Sequence, residues 1–304
     1  MKKRTRRWGL FGVLVCLAVI SAVGGPYWTH GTAAVTLTGS ASGCESTRVG
    51  GVVPDRDSTI TVMTLNVAHG RKDGFHQALQ KRATIEANLD RIAEAFVRQR
   101  PDVAALQEVD GPSLWSGRFD HVQYLAQRCD LPDCCRGEHV KGLKLSYGTA
   151  LLSGLPMGDC RSVTFAPSPP TFSKGFVLGT IAWPGRPEVS VDVVSVHLDF
   201  SRKSVRREQI KKMVAELTPR KNPLIVMGDF NCEFNGKEKT LQTLAKRLDL
   251  AAYEPKAKGM GTFPRSEKRL DWILVSNELE FVRYETVADK LSDHRGVVAV
   301  VGAR

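Results

Sequence analysis

The chain has 304 residues, of which 42% are hydrophobic and 25% are charged; this is the composition of an ordinary globular protein and excludes a fibrous or largely disordered chain. Its formal net charge is +11, but Lys2, Lys3, Arg4, Arg6 and Arg7 supply five of those charges, and removing the five leaves +6. This modest basic bias is compatible with an anionic substrate or surface and does not establish one.

The N-terminal segment has the form of an export signal. The basic stretch MKKRTRR precedes WGLFGVLVCLAVISAV, an uncharged run of 16 residues at positions 8–23. The run is long for a cleaved signal and short for a complete membrane span. We therefore predict a signal peptide or an uncleaved signal anchor over residues 1–28, and both alternatives stay open. Either one carries the rest of the chain across the membrane, which predicts a location at the cell envelope, membrane-anchored or secreted.

Residues 24–58 are rich in Gly, Ser and Thr and lack periodicity, so we predict a flexible linker over residues 29–58 and one catalytic domain over residues 59–304. Six cysteines follow the apolar run: Cys44, Cys129, Cys134, Cys135, Cys160 and Cys232. An even number in an oxidising compartment favours disulfide bonds over a metal site, because no further His or Cys completes a zinc-ligand spacing. Their pairing is left open, and Cys232 is alternatively a packed thiol.

From Thr59 onward, strand and helix patterns alternate. Apolar β-like runs predict strands at residues 59–67, 102–109, 147–153, 175–183, 189–198, 222–230, 270–276, 279–287 and 295–303. Helices are predicted around the shared face of Ile85, Leu89, Ile92 and Phe96, and at residues 122–127, 204–217 and 240–248. Such a mixture in one chain predicts a single α/β sandwich with a sizeable core.

Polar residues gather at the ends of these apolar strands. Those at strand C-termini are Asn66, Glu108, His197, Asp199, Asp229 and Asn231. Those just before strands are Arg269 with Asp271, and the run Ser292, Asp293 and His294. Hydrolysis of a phosphodiester needs a cation on the non-bridging oxygens, a base for water and an acid for the leaving oxygen. Carboxylate and amide oxygens suit Mg²⁺. This set of residues therefore contains candidates for the cation ligands, for the base and for the acid.

Each of these residues also has a purely structural explanation. Asn66 is a common turn residue, Glu108 could cap the next segment, and His197 could be a core histidine. Asp271 could form a structural ion pair with Arg269, and the SDH run could hold backbone amides. Chance does not readily place such groups at the ends of so many separate strands, so we favour one shared site.

The ordered motifs LNV, QEVD, YGTALLS, VSVHLD, VMGDFN, RLDWILVS and LSDH resemble those of the endonuclease/exonuclease/phosphatase superfamily. That group includes pancreatic-type deoxyribonucleases, neutral sphingomyelinases, inositol polyphosphate phosphatases and abasic-site endonucleases. The resemblance covers residues 59–301 and agrees in order, spacing and strand context. It implies a four-layered α/β sandwich, in which two packed mixed β-sheets are flanked by helices and the catalytic cleft lies at the strand ends.

By matching position, the resemblance implies the metal site. Glu108 would be the main Mg²⁺ ligand, with Asn66 beside it and Asp293 next to the metal; Mn²⁺ is the alternative ion. Asp229 and Asn231 would bind and orient the attacking water and a phosphate oxygen.

The resemblance also implies the acid–base residues. His197 would donate to the phosphoryl group, and His294 would be a general base or phosphate contact held by Asp271. The choice of base is left open between Asp229 and His294, with His294 preferred. Arg269 and Arg206 are predicted to bind substrate.

Two features bear on the substrate. His197 in VSVHLD is similar to the deoxyribonuclease, sphingomyelinase and phosphatase branches, because the abasic-site branch carries a Tyr-containing stretch there. The helix that follows is basic, through Arg202, Lys203, Arg206, Arg207, Lys211 and Lys212. This face is either a solvated surface or an attraction for a nucleic-acid backbone or anionic lipid headgroups. We expect substrate choice to lie in residues 111–145 and in the loop before Phe263.

We therefore predict an exported or membrane-tethered, Mg²⁺-dependent phosphoesterase. It is more specifically a phosphodiesterase that acts on nucleic acid or on phospholipid headgroups by water attack on phosphorus, and these two substrate classes are ranked level. The alternative is a catalytically silent binding domain of the same fold at the cell envelope. Membrane contact is predicted through the N-terminal segment, and no obligate protein partner is inferred.

Overall fold

A computed structural model describes residues 38–40, 42–43, 59–142 and 144–304 of the chain. The described strands are β1 (Thr38–Ser40), β2 (Ser42–Gly43), β3 (Thr59–Asn66), β4 (Val103–Asp110), β5 (Asp133–Gly142), β6 (Leu145–Ser153), β7 (Met157–Thr164), β8 (Gly175–Trp183), β9 (Arg186–His197), β10 (Leu224–Asp229), β11 (Leu250–Ala252), β12 (Asp271–Ser276), β13 (Leu279–Thr286) and β14 (Val297–Ala303). The described α-helices are α1 (Arg82–Gln99), α2 (His121–Arg128), α3 (Lys203–Leu217) and α4 (Thr240–Arg247). Single 3₁₀ turns lie at Ala68–Gly70, Gln77–Leu79 and Leu114–Ser116.

The strands form two mixed sheets. Sheet I has the order β1-β7-β8-β9-β10-β12-β11, and sheet II has the order β13-β14-β3-β4-β6-β5-β2. Each sheet contains one parallel pair, β9 with β10 in sheet I and β3 with β4 in sheet II, while its other pairs are antiparallel. The carboxyl ends of β9 and β10 therefore lie together, as do those of β3 and β4.

Three hydrophobic clusters separate four layers. The alternation of side chains along β3 sends Val62 into the cluster between the sheets and Met63 into the cluster under α1 and α2. In sheet I, Ile225 faces the other sheet, and Val226 faces α3 and α4. The predicted four-layered sandwich with helices outside two packed sheets is thereby confirmed.

Helix α1 shows how the sequence pattern becomes a packed face. Ile85, Leu89, Ile92 and Phe96 recur at helical spacing, and all are buried against sheet II. Arg100 then adopts a left-handed conformation with φ 48°, and its backbone N–H donates to the Phe96 carbonyl. The following Pro101 cannot continue the helix, so the chain turns into β4.

Some elements were not predicted. Strand β5 has polar residues at alternate positions, and β7 is half-exposed, so neither shows a continuous apolar run. Within the predicted linker, Thr38–Ser40 pairs with β7 and Ser42–Gly43 pairs with β5. The edge of a sheet offers unpaired backbone groups that an extended segment of almost any sequence can use, and the domain boundaries stay a prediction.

The cysteines of the described residues fall into two groups. Cys135 on β5 forms a disulfide bond with Cys160 on β7, which joins the two sheets covalently. Cys134 is also disulfide-bonded. Cys129 and Cys232 are free thiols, and Cys232 is buried, as its alternative interpretation predicted.

The predicted signal segment, residues 1–28, lies outside the described residues. Among the residues that are described, the structure shows no helix with the length and apolar character needed to span a membrane.

Candidate functional site

The strand ends of both sheets meet at one edge of the sandwich. In sheet I, Asp229 lies opposite His197 on one neighbouring strand and opposite Asp271 on the other. In sheet II, the pairing of β3 with β4 ends at Asn66 and Gln107, directly before Glu108. Hydrogen bonds then connect the two sets across the gap between the sheets, so residues far apart in sequence form one cluster.

A glycine sets the approach of two of these strands. Gly228 has φ +146°, and a Cβ atom at this position would lie 2.0 Å from the carbonyl oxygen of Val196. Only a residue without a side chain fits between β9 and β10 here. The glycine of VMGDFN therefore allows Asp229 to lie next to His197.

Asp229 is the centre of the cluster. Its Oδ2 atom accepts a hydrogen bond from Asn66 Nδ2 at 3.1 Å and lies 3.5 Å from His197 Nε2 and 3.9 Å from His294 Nε2. Its Oδ1 atom accepts from the backbone N–H of Asn231 at 2.9 Å. Burial raises the pKa of Asp229 to about 7, against the opposing attraction of His294. A carboxylate with this pKa can exchange a proton near neutral pH.

His294 is held by a buried carboxylate. Its Nδ1 atom lies 2.8 Å from Asp271 Oδ2, and Asp271 is fully buried. Burial alone would lower the pKa of His294, but the charges of Asp271 and Asp229 outweigh burial and raise it to about 10. At neutral pH the ring is therefore an imidazolium ion. Ser292 fixes the loop, because its hydroxyl accepts from the His294 backbone N–H at 2.8 Å and donates to the Asn66 carbonyl at 2.6 Å.

Glu108 lies at a β-bulge between Gln107 and Val109, with φ 51°. This left-handed conformation is unfavourable for a residue with a side chain, and it marks a strained position at the site. The carboxylate lies 3.5 Å from His69 Nε2, 3.8 Å from Lys174 Nζ and 3.9 Å from His197 Nε2. Burial would raise the pKa of Glu108, but the neighbouring charges, led by His69 and Lys174, outweigh it and hold the pKa well below its usual range.

Lys174 is a site residue that the sequence analysis missed. It is buried just before β8, and its Nζ atom lies 3.3 Å from His197 Nδ1. A lysine ammonium only donates hydrogen bonds, so Nδ1 is the acceptor and the hydrogen of His197 is on Nε2, which faces Asp229. Burial and the charge of Lys174 also lower the pKa of His197 well below its usual value, so the ring is neutral. A charged residue directly before an apolar strand was the available signal.

His69 is the second missed residue. Its Nδ1 atom lies 2.6 Å from Asp110 Oδ1, and Asp110 also accepts from Trp115 Nε1 at 2.8 Å and from the hydroxyl of Ser116. Burial would lower the pKa of His69, but Asp110 outweighs burial and raises it. Its Nε2 atom faces Glu108 at 3.5 Å, and the raised pKa favours the protonated ring beside that carboxylate. His69 lies two residues after the LNV motif, and Asp110 is the last residue of the QEVD motif.

Three predicted site residues lie at the cluster in other arrangements. Asn231 donates from Nδ2 to the Leu198 carbonyl at 3.0 Å and to Asp229 Oδ2 at 3.2 Å, so it ties the end of β9 to the end of β10. Asp293, predicted to lie next to the metal, forms an ion pair with Arg71 at 2.7 Å. Asn66 accepts from the Ala68 backbone N–H at 3.0 Å through its Oδ1 atom.

The two predicted substrate arginines are engaged elsewhere. Arg206 is buried, and its guanidinium forms a two-fold hydrogen-bonded ion pair with Glu238 and donates to the Asp199 carbonyl at 2.7 Å. Arg269 stacks on the Trp272 ring at 3.9 Å, in the wall of a cavity of about 380 Å³ that also contacts Phe234. These contacts give structural roles to both arginines, and no contact between either arginine and the Asp229 cluster is found in the described chain.

Asp199, another strand-end residue, caps the turn before α3. Its Oδ1 atom accepts from the backbone N–H groups of Ser201 and Arg202 at 2.9 and 2.7 Å. Its Oδ2 atom accepts from the Thr171 hydroxyl at 2.7 Å. The structural explanation therefore accounts for this residue.

Two sets of groups could hold a metal ion. Ligand atoms of Asp229, Asp271 and His294 all lie within 4.8 Å of one another. Asp271 orients the His294 ring through Nδ1 and leaves Nε2 facing Asp229, but the raised pKa of His294 means that a metal at Nε2 would have to displace a firmly held proton. Glu108 is the better candidate, because its carboxylate is ionised, 20% exposed, and makes no hydrogen bond within the described residues. Hard oxygen donors such as Glu108 and Asn66 fit Mg²⁺ with several waters.

Comparisons with known proteins identify the family of the chain. The model of the Endonuclease/Exonuclease/phosphatase family matches residues 63–294. None of the curated proteins compared with the chain matches it.

Solved structures show the same fold. An endonuclease/exonuclease/phosphatase from Beutenbergia cavernae DSM 12333 is 19% identical with a TM-score of 0.65, covering 81% of this chain and 72% of that one. The human nocturnin catalytic domain with bound sulfate anion is 19% identical with a TM-score of 0.60, covering 81% and 94%. A mannosyl-6-phosphatase from Bacteroides thetaiotaomicron VPI-5482 is 16% identical with a TM-score of 0.59, covering 80% and 99%.

Proposed function

Because the chain belongs to the endonuclease/exonuclease/phosphatase family, we propose that it is an exported or membrane-tethered phosphodiesterase that requires Mg²⁺. Its substrate would be a nucleic acid or a phospholipid headgroup, hydrolysed by attack of water on phosphorus. Members of this family are usually hydrolases of phosphate esters. The observation that carries the proposal is the position of Asp229, which is within 4 Å of Asn66, His197 and His294 from three other segments of the chain.

Asp229 is proposed as the general base. A base works best when its pKa lies near the working pH, and the pKa of Asp229 is about 7. His294 is a poor base because it already carries a proton at neutral pH. In this assignment Asp229 takes a proton from the attacking water, and Asn231 supports it through the backbone hydrogen bond to Oδ1.

The phosphoryl oxygens would meet two nitrogen donors. The Nε2 atoms of His197 and His294 both face Asp229 Oδ2, so a phosphoryl group in front of that atom lies within reach of both rings. Negative charge grows on these oxygens in the transition state, and the imidazolium of His294 stabilises it more strongly than it stabilises the ground state. As an acid beside the reaction centre, His294 can also donate its Nε2 proton to the leaving oxygen.

Glu108 and Asn66 are the residues proposed to hold Mg²⁺. Bound there, the ion would supply Lewis-acid charge stabilisation to a phosphoryl oxygen. His69 and Lys174 keep Glu108 ionised, so the ligand is ready at neutral pH without first losing a proton.

Hydrolysis of bis(p-nitrophenyl) phosphate tests the proposal. We expect Mg²⁺-dependent turnover that EDTA removes, and a fall of about 10² or more in kcat for Glu108→Gln, Asp229→Asn and His294→Gln. Matched exposed controls are Glu94→Gln on α1 and Asp249→Asn after α4, which should keep the wild-type rate. Wild-type rates in all three site variants would contradict the proposal and favour the catalytically silent binding domain.

The two substrate classes are separated by their salt dependence. Binding to nucleic acid weakens steeply with salt, because each phosphate contact releases counterions. Lys211 and Lys212 on α3 are paired with Glu208 and Glu216, which offsets part of the basic face expected to attract a polyanion. Cleavage of plasmid DNA that disappears between low and moderate salt would support a nuclease. Cleavage of phospholipid in vesicles that persists at moderate salt would support the headgroup class.

A further inference from the structure

Exposed hydrophobic side chains are concentrated around the catalytic edge. The described residues contain six exposed large hydrophobic side chains: Phe75 (79% exposed), Leu79 (75%), Leu114 (47%), Phe200 (63%), Val97 (53%) and Val282 (61%). The first four follow β3, β4 and β9, whose C-terminal ends carry the site, while Val97 lies on α1 and Val282 on β13. We call Phe75, Leu79, Leu114 and Phe200 the rim patch.

The part of the rim patch around Leu79 and Leu114 is in contact with the site. The turn Gln77–Leu79 packs against the turn Leu114–Ser116, which places Leu79 near Leu114. Trp115 connects them to the cluster, because its ring lies 5.7 Å from that of His76 and 5.1 Å from that of His69. Its Nε1 atom donates to Asp110, the partner of His69. The patch is therefore attached to the residues around Glu108 by direct contacts.

The segments that carry the rim patch also carry basic residues. The exposed or half-exposed basic residues on the same segments are Lys72, Lys81, Arg118, Lys144 and Lys203. Lys72 and Lys81 flank Phe75 and Leu79 in sequence, and the Lys144 carbonyl accepts from the Leu114 backbone N–H at 2.8 Å. Asp73, the acidic residue between Lys72 and Phe75, is paired with Lys290. Protruding apolar side chains with basic neighbours on the same segments match an anionic bilayer, which offers both negative headgroups and an apolar interior.

Resting on the proposed phosphodiesterase function, we propose that the rim patch docks the catalytic cleft onto an anionic phospholipid surface, so that the substrate is a lipid headgroup. The apolar side chains enter the interface, and the basic residues contact the headgroups. Single exposed hydrophobic residues need no explanation, but four on one edge beside the cleft do. Stacking on nucleobases accounts for rings at most, and Leu79 and Leu114 have none.

Hydrogen exchange of the full chain locates the contact. The chain is compared alone, with phosphatidylcholine vesicles, and with vesicles that also contain phosphatidylglycerol. We expect the anionic vesicles to protect residues 71–82, 112–118 and 198–203, and to leave the peptides around Val97 and Val282 unchanged. Protection confined to residues 1–58 overturns the inference. So does protection of the three segments by a DNA oligonucleotide and not by vesicles, because the partner would then be a nucleic acid.

A pair of double variants measures the contribution of the patch. Full chains carrying Phe75→Ser with Leu79→Ser are compared with chains carrying Val97→Ser with Val282→Ser, which lose similar exposed apolar groups away from the cleft. Any N-terminal membrane segment is identical in both, so a difference between them reports on the rim. We expect partitioning onto the anionic vesicles to fall about tenfold or more in the Phe75→Ser, Leu79→Ser double variant and to stay unchanged in the other double variant. Equal partitioning of the two double variants overturns the inference.

Activity on a soluble ester separates this inference from the proposed function. The wild-type full chain is assayed on bis(p-nitrophenyl) phosphate in buffer without vesicles. Turnover without vesicle binding overturns the docking inference alone. Vesicle binding through the rim without turnover overturns the phosphodiesterase and leaves a membrane-binding domain.

Discussion

Replacement of Asp271 by Asn tests what keeps His294 charged. The Asp271 carboxylate is fully buried, and its Oδ2 atom lies 2.8 Å from His294 Nδ1. Asparagine keeps the shape and can still accept the Nδ1 hydrogen, but it removes the negative charge. Two unit charges about 4 Å apart interact by about 4 kcal/mol at an effective dielectric constant of about 20. At about 1.4 kcal/mol per pKa unit, that is about 3 units. We therefore expect the pKa of His294 to fall from about 10 to near 7 in Asp271→Asn.

The titration is best followed by NMR of the imidazole C–H signals in metal-free protein. The His294 signal is identified by its loss in His294→Gln. In the wild type it should keep its imidazolium position until the pH approaches about 10. In Asp271→Asn it should titrate near neutral pH, while exposed Asp249→Asn should leave it unchanged.

The free energy of unfolding should depend on pH in the direction that the raised pKa of His294 requires. The folded-state pKa of His294 is raised above 6.5, so the stabilising interaction is complete below about pH 6.5 and is lost as the pH rises through about 10. The difference in free energy of unfolding between wild type and Asp271→Asn, measured with urea, should narrow over that interval. A wild-type His294 that titrates near 6.5 would refute the imidazolium assignment. A variant whose His294 still titrates near 10 would refute the role given to Asp271.

Three further predictions follow from the site. The kcat/KM for bis(p-nitrophenyl) phosphate should rise with pH through about 7, as Asp229 loses its proton, and a profile flat from pH 5 to 8 would exclude this base. Glu108→Gly and Glu108→Ala should both lose Mg²⁺-dependent turnover. The glycine variant should have a free energy of unfolding in urea about 1 kcal/mol higher than the alanine variant, because φ 51° at this position suits glycine. Equal stabilities of the two variants would argue against backbone strain at the bulge. Lys174→Met should lower kcat about 10²-fold with little change in KM, because Lys174 no longer holds the hydrogen of His197 on Nε2. Lys174→Arg should restore part of the rate. A change in KM alone would assign Lys174 to substrate binding.

How much could be predicted depended on the kind of residue. The strand at 175–183 was predicted with its observed bounds, because a continuous apolar run is the mark of a strand buried on both faces. Strand β5 has the sequence DCCRGEHVKG, in which polar residues interrupt the apolar pattern that would have marked a strand. The structure places this segment inside sheet II.

The residues of the site likewise divide into those that the sequence predicted and those that it did not. Asp229, Asp271 and His294 belong to motifs that can be recognised in the sequence, and the structure brings them together as expected. His69 and Lys174 become site residues only because β4 and β9 place Glu108 and His197 beside them. Arg206 looked available for substrate until folding paired it with Glu238, 32 positions away in the sequence. Long-range pairing of this kind leaves no local pattern to detect.

The covalent link between Cys135 and Cys160 has a consequence for the reaction geometry. The bonds from Asn66 to Asp229 and from His294 to Asp271 each run from one sheet to the other, so sliding of the sheets would stretch both bonds together. Catalytic alignment is thus a property of the relative position of two rigid bodies, and no single strand controls it. The disulfide bond between β5 and β7 restrains the position of one sheet relative to the other. In a reducing medium the chain would lose this restraint, and turnover would decline while both sheets were still intact.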